Sequence, residues 1–87
     1  MSIYFSKVMK AGDRQREFNF RQLTAGNEVK YNVDVPDERG NRVAFQMTRN
    51  NEGNWSTDAQ NLPSWVVNAQ PMLSDAIIEH LAQVSNR

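Results

Sequence analysis

Apolar and polar residues alternate without a break through Val29-Lys30-Tyr31-Asn32-Val33-Asp34-Val35. This is the period-two pattern of a strand buried on one face. Two flanking runs alternate in the same way, Phe18/Phe20 before it and Val43/Phe45/Met47 after it. Turn signals fall at Ala11-Gly12-Asp13, Thr24-Ala25-Gly26-Asn27, Pro36 to Asn41, and Asn50-Asn51-Glu52-Gly53. They divide the first two-thirds of the chain into strands at about 3–9, 14–22, 28–35 and 42–49, with a shorter candidate at 54–57. Sequential short strands joined by tight turns predict a meander.

The pattern changes after Asn61. Asn61-Leu62-Pro63 can open a short turn or helix carrying Trp65 and Val66. A longer helix is predicted over 71–85, with Pro71 tolerated in its first turn. Leu73, Ala76, Ile77, Leu81 and Val84 recur at three- and four-residue spacing and form one apolar stripe. Asp75 near the start suits the helix dipole. The prediction is a single α+β domain over 1–87, with strands over about 3–57 and a helical segment over about 63–85. Its architecture is a four- or five-stranded antiparallel β-meander with one C-terminal helix packed on one face, across Phe18, Phe20, Tyr31, Val33 and Phe45.

Loop lengths predict a register. A turn at Ala11-Gly12 sets Phe5 across from Phe18 and Ile3 across from Phe20. A loop over 24–27 sets Phe20 across from Tyr31 and Phe18 across from Val33. A longer loop after Val35 sets Val33 across from Phe45 and Tyr31 across from Met47. All three choices keep the apolar residues on one face, which a one-residue slip would not. The opposite face then carries Glu17, Asn19 and Arg21, then Lys30, Asn32 and Asp34, then Arg42, Ala44, Gln46 and Thr48. In this register Arg21 opposes Lys30, an unfavourable pairing of like charges. Either a longer loop moves Arg21 to Glu28, or the positive pair is held for an anion such as phosphate.

Eighty-seven residues make one domain, and folding at this size hides only about 60–65% of the unfolded chain's surface. The core must be thin. The formal net charge is zero, which argues against a tight binder of duplex nucleic acid. Residues 1–50 hold nine of the ten Lys and Arg against six acids, whereas 51–87 hold only Arg87 against Glu52, Asp58, Asp75 and Glu79. The sheet half is mildly positive and the helical half mildly negative, as an ordinary solvated surface can be. No cysteine is present, which removes disulfides, thiolate metal sites and cysteine nucleophiles. No secretory signal or membrane-length apolar run is visible, so a soluble cytoplasmic protein is expected. Asn54-Trp55-Ser56 matches a glycosylation sequon by chance in that setting.

No residue pattern predicts catalysis, a cofactor or a metal. His80, the only histidine, sits at the edge of the apolar stripe, and its neighbour Glu79 points about 100° away around the helix. Asp75 and Glu79 share a helix face, but one histidine and no cysteine are too few for zinc, and no calcium loop is present. Asp34, Asp37 and Glu38 gather near a hairpin tip beside Arg39 and Arg42, where carboxylates are ordinarily solvated. The four glycines are isolated in turns rather than arranged as a phosphate loop. Trp55 and Trp65 flank the passage from sheet to helix, where they either plug the open end of the core or present a partner surface.

The first hairpin, Phe5-Ser6-Lys7-Val8-Met9-Lys10-Ala11-Gly12-Asp13-Arg14 through Phe18, resembles the opening of small bacterial PUR-type nucleic-acid-binding proteins. That resemblance implies four strands then a helix, a sheet that binds single-stranded nucleic acid, and a role for Lys7, Lys10 and Arg14. The chain departs from the family in its neutral charge, its Trp55/Trp65 segment, its longer C-terminal region and the absence of stacking aromatics on its polar face.

Two functional expectations follow. The first is a non-enzymatic binding or assembly module, with a homodimer as one form, joined at an exposed edge by a first strand that turns Tyr4, Ser6 and Val8 outward. Tyr4, Val8, Trp55 and Trp65 are its candidate partner surface. The second is a single-stranded nucleic-acid-binding protein using Arg21, Lys30, Asn32 and Arg42 on the polar face, aided by Lys7 and Lys10.

Overall fold

The computed structural model describes residues 4–26, 28–57 and 59–85. Five strands follow one another in the chain: β1 (Tyr4–Ala11), β2 (Arg14–Ala25), β3 (Glu28–Pro36), β4 (Arg42–Arg49) and β5 (Trp55–Ser56). Two helices come after them, α1 (Ser64–Val67) and α2 (Gln70–Ser85). The sheet order is β1-β2-β3-β4-β5, all antiparallel, and the sheet curls into a half-barrel that α2 covers. The expected α+β meander is the fold, with β5 as a two-residue fifth strand.

The face assignments hold. Phe18, Phe20, Tyr31, Val33, Val35, Phe45 and Met47 are buried on the concave face, beneath Leu73, Ala76 and Ile77 of α2. Each large side chain of this set contributes about 1.5–3 kcal/mol by leaving water. Leu81 packs at the margin of the cluster. Ile3 and the side chain of Val84, both expected to be apolar partners here, lie outside the described residues. Asp75 is the sixth residue of α2 rather than a first-turn residue, so it is too far along to meet the dipole's positive end.

The register differs from expectation in two of three pairs. β3 and β4 pair as predicted, Val33 with Phe45 and Tyr31 with Met47. β1 and β2 instead set Phe5 opposite Phe20 and Lys7 opposite Phe18, because the turn is the two residues Gly12-Asp13 between Ala11 and Arg14. β2 and β3 also run on to a two-residue connection, between Ala25 and Glu28, so Phe20 meets Val33 and Gln22 meets Tyr31. Both corrections are shifts of two residues, which leave every side chain on its own face. The predicted Arg21–Lys30 clash does not arise: Arg21 stands opposite Asn32, and Leu23 opposite Lys30. The relieving shift comes from a shorter loop, not the longer one expected, and no Arg21–Lys30 pair is left to hold an anion.

The two remaining hairpins are closed by the same loop built twice. Asp37 Oδ1 accepts the backbone N–H of Arg39 and of Asn41, and Asn50 Oδ1 accepts those of Glu52 and Asn54, at 2.9–3.1 Å. The Asp37 N–H donates to Asn41 O and the Asn50 N–H to Asn54 O, each at 2.8 Å. Gly40 and Gly53 take the left-handed backbone each loop needs, at φ 82° and 85°.

An aromatic column runs through the centre. Phe5 lies between Phe20 (centroids 4.5 Å apart, planes 2° apart) and His80 (4.0 Å, 15°). Tyr31 meets Phe5 edge-on at 6.0 Å, and Trp55 meets Tyr31 edge-on at 5.2 Å. Such pairs add about 0.5–1.5 kcal/mol each beyond their buried area. His80 is therefore a half-buried packing residue that fastens α2 to β1.

Candidate functional site

The residues singled out from the sequence divide among three places. The first is the convex face. Tyr4 Oη donates to Asn19 Oδ1 at 2.9 Å, and Asn19 Nδ2 donates to Asp34 Oδ1 at 3.0 Å. Arg42 Nη1 donates to the same Asp34 oxygen at 2.5 Å. One polar chain thus crosses four strands, and Asp34 neutralises Arg42. Arg21, Lys30 and Asn32 share this face, and neither Arg21 nor Lys30 forms a salt bridge among the described residues. Lys10 is exposed at the hairpin end, opposite Gln15. Lys7 is not with them. It turns to the helix side, where its Nζ lies 2.9 Å from Glu79 Oε1, because odd positions of β1 share the face of Phe5 and Met9. The cations thus lie on two faces, and two of them, Lys7 and Arg42, already have carboxylate partners.

The second place is the closed end of the half-barrel. Arg16 has the parity of Phe18 and Phe20, so it points inward, and it is buried. Its Nε donates to Ala11 O at 3.0 Å, its Nη2 bonds Glu38, and its guanidinium lies over the Trp65 ring. Gly12 closes the same corner: a Cβ there would come within 3.2 Å of Trp65 Cβ, and its φ of 74° also favours glycine. The Arg16 hydrogen bond holds the Glu38 carboxyl below its ordinary pKa. Glu38, Asp34 and Asp37 are therefore each engaged by partners of their own: Arg16 for the first, Asn19 and Arg42 for the second, and the loop N–H groups for the third. Sequence reading passed over Arg16, although its parity with Phe18 was the signal.

Trp65 is half-buried under Arg16, and Trp55 is 4% exposed against Tyr31. Trp55 is a core residue and not part of a partner surface, because the indole fills the space between the short β5 and α2. Trp65 likewise gives its ring face to Arg16 rather than to solvent. Among the described residues no three His, Asp or Glu side chains come together as a metal site. No described helix is long and apolar enough to cross a membrane.

The third place is the pair of sheet edges, and they are unlike. β5 is two residues long, and its Trp55 N–H donates to the buried Ser74 Oγ of α2 at 2.9 Å. That edge is closed. β1 is eight residues long and contains no proline. No other described strand pairs with its outer side, so alternate N–H and C=O groups point away from the sheet. Tyr4 and Val8, the remaining members of the expected partner surface, are 50% and 57% exposed on its convex face. Met72 of α2, also exposed, lines a groove with Lys7 and Met9 on the other face.

Comparison with protein-family models, with curated proteins and with solved structures finds no match to the chain.

Proposed function

We propose that the protein is a small non-enzymatic assembly module that joins a second copy of itself along β1. The contrast between the two edges carries this reading: one is short and capped by Ser74, while the other is long, straight in its pairing and flanked by exposed apolar side chains. Edge strands of monomers are ordinarily guarded by charge, proline or a bulge. Here the central charge of the strand, Lys7, is drawn toward Glu79 instead.

An antiparallel pairing of β1 with its copy is isologous and closes as a dimer. A two-fold axis at Ser6 sets Tyr4 opposite Val8 of the second copy, twice, and Lys7 opposite Phe5. An axis at Lys7 would oppose like charges. Arg21 and Lys30 leave some positive charge on the convex face, but an internally bonded face without a stacking platform gives the nucleic-acid reading less support.

A single strand pair is a small interface, so the dimer should dissociate on dilution. Sedimentation across a concentration series is expected to show twice the monomer mass at the upper end. Val8→Lys, at an exposed site that leaves the core intact, should hold the chain monomeric with an unchanged circular dichroism spectrum. A wild-type chain that stays monomeric at every concentration would refute the reading.

A further inference from the structure

By parity Arg14 and Arg16 stand on the concave face at one end of the half-barrel and Arg49 at the other, and the circumstances of Arg16 and Arg49 are opposite. Arg16 is buried and fully engaged by Ala11, Glu38 and Trp65. Arg49, with the parity of Phe45 and Met47, stands opposite Trp55 at the other end, exposed and in no described ion pair. Where Trp65 stoppers the first end, the second opens into a cavity of about 560 Å³ between the strand ends and Leu81 of α2. That lies within the range of about 300–1,000 Å³ seen for small-molecule sites.

The lining is divided by chemistry. Val29, Trp55 and Leu81 supply apolar wall, while Arg49 and Gln22, which share the concave parity, supply donors. The Gln22 Oε1 already accepts the Tyr31 hydroxyl at 3.2 Å, so what the amide still offers a ligand is mainly its N–H₂. Lys30 and Glu28 border the cavity from convex-facing positions of β3, one cation and one acid. The two border charges offset each other, so Arg49 leaves a single net positive charge beside a wall that an apolar body can cover. We infer that this cavity is a binding site for a small organic monocarboxylate: its carboxylate meets Arg49, with Gln22 in support, and its apolar body lies against Trp55, Val29 and Leu81. Arginine suits that role because its planar fork matches a carboxylate in two parallel hydrogen bonds. The site does not depend on the edge of β1.

Calorimetric titration with 1-naphthoate tests the inference, with 1-naphthalenemethanol and inorganic phosphate as comparisons. Naphthoate is expected to bind and to shift the Trp55 indole resonance, with the neutral alcohol weaker. Arg49→Gln should weaken naphthoate by about tenfold or more, as loss of one charge-assisted pair requires, and leave the alcohol unchanged. Gln22→Glu keeps an acceptor for the Tyr31 hydroxyl and sets a negative charge beside the carboxylate, so it should also weaken naphthoate, and it serves as a second variant if Arg49→Gln is unstable. No naphthoate binding up to millimolar concentration would overturn the inference. So would wild-type naphthoate affinity in Arg49→Gln, or in Gln22→Glu where Arg49→Gln is unstable, or phosphate binding as tightly as naphthoate.

Discussion

The guanidinium carbon of Arg16 lies 3.7 Å from the centre of the Trp65 ring. The cation thereby joins β2 to α1 while its other bonds reach the end of β1 and the loop after β3. Lysine keeps the charge but has neither the plane nor the fork. Arg16→Lys is expected to lose about 2–3 kcal/mol, combining a charged hydrogen bond with a cation–π contact. Urea unfolding followed by tryptophan fluorescence measures it, and a loss below about 0.5 kcal/mol, the scale of an ordinary surface change, would show the corner to be dispensable.

Glu38 gives the same corner a pH dependence. Its carboxyl is held below the ordinary glutamate value, first by the Arg16 hydrogen bond. A group depressed on folding adds stability that is complete above its unfolded pKa and disappears as pH falls through its folded pKa. Stability should therefore decline on acidification below the ordinary glutamate range, and Glu38→Gln should flatten that part of the profile. Parallel acid limbs for the two proteins would contradict the assignment.

Ser74 caps the β5 edge from within the helix. Ser74→Ala leaves the Trp55 N–H buried without its acceptor, at an expected loss of about 1–3 kcal/mol. Thermal unfolding followed by circular dichroism reads the change. A variant as stable as the parent would mean that the edge is closed by packing alone.

The absence of cysteine turns the strand pairing into a covalent assay. A single introduced thiol can cross-link only to another chain. If the two-fold axis passes at Ser6, oxidation of Ser6→Cys should trap a dimer on a non-reducing gel, and Asp13→Cys, beyond β1 at the hairpin tip, should not. Equal trapping by both would indicate collision rather than a defined interface.

Much of this architecture was legible because period two is strict. Tyr31 and Val33 turn inward because no other parity would hide them, and the β3–β4 register follows from the loop between them. The same strictness concealed the other registers. A slip of two residues keeps Phe18 and Phe20 inside, so only the turn chemistry at Gly12-Asp13 and after Ala25 could decide between partners. The polar members of the concave face were hidden for a related reason. Arg16, Gln22 and Arg49 share the parity of the core, yet a charged or amide side chain at such a position reads as an interruption until the structure shows what it meets. The Trp55 and Trp65 environments depended on contacts between distant segments, which alternation does not encode.

The Lys7–Glu79 pair and the Phe5–His80 stack join residues from opposite ends of the chain, the first pair 72 positions apart. β1 must therefore wait for α2 to be made before its inner face is sheltered. Local hairpins can form during synthesis, but the long-range closure waits for α2. The interval between synthesis of β1 and of α2 thus sets how long Phe5 stays without its lid, and a chain cut before α2 is a ribbon with its adhesive side uncovered.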